Sequence, residues 1–586
     1  IMWNTFLTIF MRRYNLIGAL NSSRTMGGAN CKSFSPVCGA GPESSSTDMK
    51  PSSYSNEFVE EVVCKESSLG ENEMQQFDIG EDGKVLIVKQ DGKFYALGAK
   101  CTHYGARLVN GALGKGRVRC PWHGACFNLS TGDIEDYPGL DSIHSFKVTL
   151  ENGNVKVRAK KSDLLNTKRV KPMRRTSPDN DETYVIIGGG PSGAVCAETI
   201  RQEGFEGRVV VICNENYLPY DRVKLSKQLH FEIEKAQLRT ASFYDSYDIE
   251  MKLGVAAESV DCNEKSISLS NNETLRYDKV FIATGSRPIE LEVEGHDLEN
   301  VVVLRNTEHA KHALKLLLPE NEIVILGGSF IGIEMAAYSS TKVGKVTVVM
   351  RDDVPYRNSF GFEVGERIKS LCESHGVIFL TKSSITKCIG KDGILTAVEI
   401  NGEHVIKANL LLLGIGTVPN TDFLRGSGIA MNPNGTIIVD KFMKTNIEDV
   451  YAGGDIAYAP VYCNFNQPAA IGHYPLAHYH GKVAAMNMVD HIMPLRSVPF
   501  FWTMIYGKSF RYTGYGKHTS LQIEGSLEDL SFVVYYFDEQ NRVIGMMSAN
   551  KDPIVSLYAE WLANGKHLFK HDLEGDPLAW TRQKIE

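Results

Sequence analysis

Two short loops carry the most distinctive chemistry in this chain: Cys101-Thr-His103 and Cys120-Pro-Trp-His123, with sixteen residues between them. Two thiolates and two imidazoles are the ligand set of a Rieske [2Fe–2S] centre. In such a centre one iron takes both sulfurs and the other both nitrogens, which raises the potential to roughly −150 to +300 mV, against about −400 mV for an all-cysteine plant-type cluster. Such a centre moves single electrons. Tetrahedral zinc also accepts two Cys and two His, but zinc fingers group Cys with Cys and His with His around a helix. Here each loop mixes the two types. Gly105, Gly111, Gly114, Gly116, Pro121 and Gly124 crowd the loops, as suits backbone that turns its amides toward cluster sulfurs.

A second chemistry is written in glycine. Tyr184-Val-Ile-Ile runs into Gly188-Gly-Gly190-Pro-Ser-Gly193 and then into residues 194–203 at helical period, a strand, glycine turn and helix in succession. The glycines let backbone approach a pyrophosphate, whose charge sits at the helix N-terminus. The next strand, Arg208-Val-Val-Val-Ile-Cys213, ends at Asn214-Glu215, which supplies a carboxylate for a ribose hydroxyl. An adenine dinucleotide is the expected ligand. A second copy of the pattern is Glu322-Ile-Val-Ile-Leu followed by Gly327-Gly-Ser329-Phe-Ile-Gly332, with Ser329 in place of the middle glycine.

Several domains must position these groups. A chain of 586 residues suggests about four at ~150 residues each, and 43% apolar composition supports ordinary buried cores. Before residue 160, short β-type runs separated by turns, such as Lys84-Val-Leu-Ile-Val-Lys-Gln and Phe94-Tyr-Ala-Leu, predict a small all-β domain around the cluster loops. From Lys156 to Arg175 nine Lys or Arg face one Asp, which reads as a solvated linker. The formal charge of −7 carries no general nucleic-acid signature. Twelve cysteines without a Cys-x-x-Cys support neither a thioredoxin-like dithiol nor a secreted disulfide framework, and a reducing compartment fits. No apolar run approaches the ~20 residues that span a bilayer, so any membrane attachment would be peripheral. The first 42 residues lack Asp and Glu but hold Arg12, Arg13, Arg24 and Lys32 among apolar residues, the composition of a mitochondrial presequence. The alternative is a start at Met26, where Met26-Gly-Gly-Ala-Asn-Cys31 approaches an N-myristoylation signal and would leave a cytoplasmic, membrane-associated protein.

The segments Leu218-Pro-Tyr-Asp-Arg222 to Leu225-Ser-Lys227, Ala283-Thr284-Gly285, and Tyr451-Ala-Gly-Gly454-Asp455 follow in an order that resembles the FAD signatures of pyridine-nucleotide-dependent flavoprotein reductases. With Cys-Pro-Trp-His-Gly-Ala-Cys126-Phe in the cluster loop and Pro499-Phe-Phe-Trp502 opening a C-terminal domain, residues 57 to 575 resemble the apoptosis-inducing-factor-like flavoproteins. The resemblance implies an all-β Rieske domain, then an α/β reductase with two dinucleotide folds, then an α+β C-terminal domain. The expected boundaries are a tail over 1–56, the Rieske domain over 57–160 and a basic linker over 161–182. FAD-binding parts over 183–305 and 421–494 flank an NAD(P)-binding domain over 306–420, and the C-terminal domain spans 495–586. By the same resemblance Gly454 and Asp455 bind the flavin ribityl and phosphate, Arg222 lies along the cofactor, and Lys227 and Glu334 meet near flavin N5 as the catalytic pair. The remaining cofactor-binding candidates are Gly188, Gly190, Gly193, Glu215, Ala283, Thr284, Gly285, Gly327, Gly332, Met350, Arg351, Gly416 and Trp502. A link to apoptosis is implied as well.

The second glycine turn is then the nicotinamide site, and its strand, Lys345-Val-Thr-Val-Val, ends in Met350-Arg351 where NADH enzymes place an acid on the ribose. Discrimination between NADH and NADPH is therefore expected to be weak, within about tenfold, unless the loop turns later and brings Asp352 or Asp353 into play. Ala106 and Trp122 stand where respiratory Rieske proteins carry an extra disulfide. An oxygenase is disfavoured, because His473 and His478 have the facial-triad spacing but Ala470 occupies the carboxylate position; both histidines read as flavin-side packing or interface residues. The function expected is an NAD(P)H-dependent oxidoreductase that passes electrons from flavin to the cluster and on to an unidentified one-electron acceptor, a protein or a quinone. The alternative is a redox-sensing signalling protein with little turnover.

Overall fold

The computed structural model describes residues 57–583. The targeting readings fall on residues 1–56, outside that range. The first described strands form a six-stranded antiparallel sheet in the order Phe58–Lys65, Asn154–Lys160, Ser145–Glu151, Lys93–Gly98, Gly83–Gln90, Glu73–Ile79. A four-stranded antiparallel sheet follows: Ala112–Gly114, Arg117–Arg119, Cys126–Asn128 and Ile134–Asp136. The two share one core, in which Leu86, Val88 and Leu97 meet Val118, Phe127 and Ile134. The second sheet exists to hold a loop. Residues 120–125 connect two of its strands, and residues 101–106 follow directly on the strand Lys93–Gly98.

Two parallel sheets come next. Their strands are near-continuous apolar runs, as expected where both faces are covered. The first has the order Ile249–Leu253, Arg208–Cys213, Thr183–Ile187, Lys279–Ile282, Val450–Ala452, and the second Val301–Val303, Leu410–Leu413, Glu322–Leu326, Lys345–Val349, Val377–Leu380. In each, the central strand turns at glycine into a helix, Pro191–Gln202 in one and Phe330–Ser339 in the other. The helix Tyr474–Met488 packs tightly on Pro191–Gln202: a Cβ at Gly481 would lie 2.1 Å from the Ser192 carbonyl oxygen. A five-stranded antiparallel sheet, Phe500–Ile505, Lys508–Gly514, Val543–Ala549, Ser531–Phe537, Ser520–Ser526, and the helix Ile554–Ala563 complete the chain. The fold class is the expected one: all-β, then α/β, then α+β.

The basic stretch is largely solvent-exposed, as expected, and is pinned at several points. Arg169 donates to the Ile143 and Thr131 carbonyls and pairs with Asp133, Lys171 pairs with Glu203, and Arg175 binds Asp248 through two bonds of 2.7 and 3.0 Å. Its positive charge is matched by carboxylates on both flanking domains, which composition of the segment alone does not reveal.

Candidate functional site

The two cluster loops are copies of one another in backbone geometry. The Cys101 N–H donates to the Ala106 carbonyl at 2.9 Å and the Cys120 N–H to the Ala125 carbonyl at 2.8 Å, closing loops of equal length. Gly105 (φ 76°) and Gly124 (φ 82°) take the same left-handed position just before each closure, where a side chain would be strained. Both thiols are buried and belong to one core cluster. The His103 and His123 Nδ1 atoms stand 3.1 Å apart, with the rings edge to face. Cysteine meets cysteine and histidine meets histidine, the division a two-iron cluster needs and a loop-by-loop reading does not show. Burial, reinforced by Lys168, lowers His103 to about 4, and burial holds His123 well below its ordinary value, so both imidazoles are neutral as ligation requires.

The second feature is a cavity of about 1420 Å³ that runs past both glycine turns. Gly188, Gly190, Glu215, Arg222, Lys227, Ala283, Thr284, Gly285, Gly327, Glu334, Met350, Arg351, Gly416, Gly454, Asp455 and Trp502 all border it. Gly193 and Gly332 lie just behind, where a Cβ would stand 2.0 Å from the carbonyl oxygens of Gly188 and Gly327, so they permit the helix to approach its own turn. The Ser192 hydroxyl, buried at the first helix N-terminus and among the cavity-lining groups, has no partner among the described residues. Together with the open space at Gly190, it forms a cradle that suits a phosphate. Asp455 accepts from Ser286 Oγ at 2.8 Å and lies 3.6 Å from Arg305, while Arg222 engages Glu215 through two bonds of 2.9 and 3.0 Å. These residues fit a dinucleotide with its diphosphate between the turn and Gly454.

At the centre of the cavity Glu334 gathers three donors. Lys227 Nζ and the Thr503 hydroxyl (2.7 Å) reach Oε1, and the Ser226 hydroxyl reaches Oε2 at 2.6 Å. Glu334 is 6% exposed, Ser226 5% and Thr503 1%, so the set is fixed before any ligand arrives. Sequence reasoning named the Lys–Glu pair and missed the two hydroxyls. Ser226 sits inside the Leu-Ser-Lys motif and could have been read, whereas Thr503 comes from a strand 169 residues from Glu334. His473 borders the cavity with its ring 5.6 Å from Phe501, and His478 stacks on Tyr137 of the first domain at 5.1 Å.

The strand Phe500–Ile505 joins the two features. Trp502 borders the cavity, and its ring lies 4.5 Å from His123 and 6.2 Å from His103. The cluster domain is held against the rest of the chain by buried polar contacts on neighbouring elements. Arg117 Nε and Arg119 Nε donate to Glu560 at 2.9 and 2.7 Å, Arg511 donates to the Trp122 carbonyl at 2.9 Å, and Arg239 bridges Asp141 and Glu198. Burial would raise the Glu560 carboxyl, but Arg117 and Arg119 overcome it and hold it below its ordinary value.

This fold and this site define a flavoprotein oxidoreductase with a Rieske domain seated on its flavin cavity. The family model of the pyridine nucleotide-disulphide oxidoreductases matches residues 182–481, and that of the Rieske [2Fe-2S] domain matches residues 60–147. The chain belongs to the pyridine nucleotide-disulphide oxidoreductase family. It is 42% identical over 522 residues to apoptosis-inducing factor 3 of Mus musculus, covering 88% of this chain and 86% of the relative. It is 32% identical over 383 residues to a ferredoxin–NAD(P)+ reductase of a Sphingomonas species, covering 64% and 91%. Its fold is shared with the solved covalent complex of putidaredoxin reductase and putidaredoxin, with a TM-score of 0.65 and 23% identity over 69% of this chain and 98% of that one. The protein is thus an NAD(P)H-dependent flavoprotein that carries FAD and a [2Fe–2S] cluster and moves electrons toward that cluster.

Proposed function

We propose that this chain is a self-contained electron-transfer unit whose Rieske domain is the built-in acceptor of its own flavin and the donor to an external one-electron carrier. The carrying observation is that Trp502 borders the flavin cavity on one side and touches His123 on the other. When bound, FAD takes a two-electron hydride and releases electrons singly, and the cluster accepts them one at a time. The residues do the rest. Gly188, Gly190 and Gly454 admit the cofactor diphosphate; Glu334 anchors Lys227 at the flavin ring; Cys101, His103, Cys120 and His123 ligate the cluster. A cell-death role, which the name of the mouse relative carries, is a second reading supported by the 42% identity. The acid-free N-terminus supports a mitochondrial destination.

The test is an anaerobic NADH titration of the purified holoprotein, followed by flavin absorbance and by the cluster's paramagnetic signal. Reduction of both, with rapid turnover of ferricyanide, supports the unit. Flavin reduction that leaves the cluster oxidised would overturn it, and sluggish turnover with every one-electron acceptor would favour the signalling reading.

A further inference from the structure

The two cluster loops match in backbone, but among the described residues the C-terminal sheet and helix donate hydrogen bonds to only one of them. In the second loop three carbonyls accept side-chain donors: Cys120 from the Ser556 hydroxyl at 3.2 Å, Trp122 from Arg511 Nε at 2.9 Å and Gly124 from Arg119 Nη1 at 2.8 Å. In the first loop the carbonyl two residues after the cysteine is that of His103, and among the described residues it accepts nothing. Arg511 reaches the second loop through strand register. It stands directly opposite Trp502 across the strands Phe500–Ile505 and Lys508–Gly514, so the two side chains share one face. The indole meets His123, and the guanidinium meets the carbonyl just before it.

That carbonyl and the His123 N–H belong to one peptide unit, whose N–H turns toward the Cys120 sulfur. A cation on the oxygen polarises the unit and strengthens the N–H as a donor to sulfur. The charge itself is well placed. The Arg511 side chain is 8% exposed and is fixed on its other side by Asp552, 2.9 Å from Nη1 and 32% exposed, so water screens the carboxylate more than the guanidinium. Lys168, the cation beside His103, is 58% exposed and counts for less. Reduction adds one negative charge to a cluster, and hydrogen bonds to its sulfurs and a nearby fixed cation both favour the reduced form.

We propose that Arg511 raises the reduction potential of the Rieske cluster, acting through the Trp122–His123 peptide, and so makes the cluster a better acceptor for electrons from the flavin. This rests on the reading of Cys101, His103, Cys120 and His123 as the cluster ligands. The test is a redox titration of the purified holoprotein, followed by the cluster's paramagnetic signal, in the parent, Arg511→Gln, Arg511→Lys and Asp552→Asn. Arg511→Gln should weaken the reduction equilibrium about tenfold, a fall of ~59 mV for a one-electron couple. Arg511→Lys keeps the charge and should recover most of that fall. Asp552→Asn removes the counter-charge and should shift the same equilibrium about threefold toward the reduced form. A role in packing alone would not give Arg511→Gln and Asp552→Asn opposite signs. Midpoints within about twofold of the parent in that equilibrium, or shifts of one sign in both variants, would overturn the proposal. If Arg511→Gln loads no cluster, an Asp552→Asn midpoint at or below the parental one overturns it equally. A parent without a Rieske signal would instead remove the ligand reading beneath it.

Discussion

Trp502 and His123 stand ring to ring, 4.5 Å between centroids and tilted by 52°. The indole also borders the flavin cavity, so one side chain touches both redox sites. Strand alternation sets this up: successive residues of Phe500–Ile505 point to opposite faces, so Trp502 turns toward the cluster loops while its neighbour Thr503 reaches Glu334. A single strand therefore positions the hydride end and the electron end of the site.

Trp502→Leu should separate the two half-reactions. It removes the aromatic contact without touching Lys227, Glu334 or the glycine turns. In anaerobic stopped flow with NADH, flavin bleaching should stay within about threefold of the parent, while cluster reduction slows by about tenfold or more, or ~1.4 kcal/mol of barrier. Trp502→Phe should recover most of the loss. Equal rates of cluster reduction in parent and Leu variant would remove Trp502 from the route.

The cluster ligands make a sharper prediction. His123→Ala should abolish the Rieske absorption and paramagnetic signal and leave FAD bound, because the flavin cavity is built by other elements. Cys126→Ser should keep the cluster. Cys126 points away from the ligand set, its thiol lying 3.5 Å from Glu560. A Rieske signal that survives in His123→Ala would falsify the ligand assignment.

Much of this site was legible in sequence because its chemistry is local. Four ligands in two short loops, and glycines at fixed spacing between a strand and a helix, state their geometry without help from the rest of the chain. What was illegible is held together over long separations. Glu560 is 441 residues from Arg119, and Thr503 is 169 from Glu334. A lone Glu on an apolar helix or a lone Thr on a strand reads as ordinary surface or core. Met350 is a case of its own: it borders the cavity, yet its thioether packs beneath Gly328, a placement that the apolar run alone does not reveal.

The buried Arg117–Glu560–Arg119 cluster should dock the Rieske domain at ordinary pH and release it in acid. Glu560 is fully buried, and removing it would leave Arg119 with only Asp136 and the Gly124 carbonyl and Arg117 with only Glu135; losing one partner of a buried pair costs up to about 3–5 kcal/mol, and these remaining partners reduce that figure. Glu560→Ala should therefore make the Rieske domain susceptible to limited proteolysis under conditions where the parent resists. Because the folded-state pKa of Glu560 lies below its unfolded value, this contribution is present above the ordinary carboxylate range and is lost as pH falls through the folded value. Protease resistance should decline with acid in the parent and show less decline in Glu560→Ala. Identical acid profiles would dismiss the carboxylate.

The last prediction concerns the two hydroxyls that hold Glu334. Each gives a hydrogen bond to a carboxylate, a class worth about 1.5–3 kcal/mol, and each is buried, so water cannot replace it. Losing one should leave Glu334 freer to rotate and Lys227 less firmly placed. Thr503→Val keeps the shape and removes the donor. Its flavin reduction by NADH should slow by about tenfold, with little change in coenzyme affinity, because the loss falls on geometry at the flavin ring and not on nucleotide binding. The flavin reduction potential should shift as well, a change that simple loosening of the fold would not produce. Thr503→Ser restores the donor and should restore both rate and potential. If Val and Ser behave alike, Thr503 fills space and positions nothing.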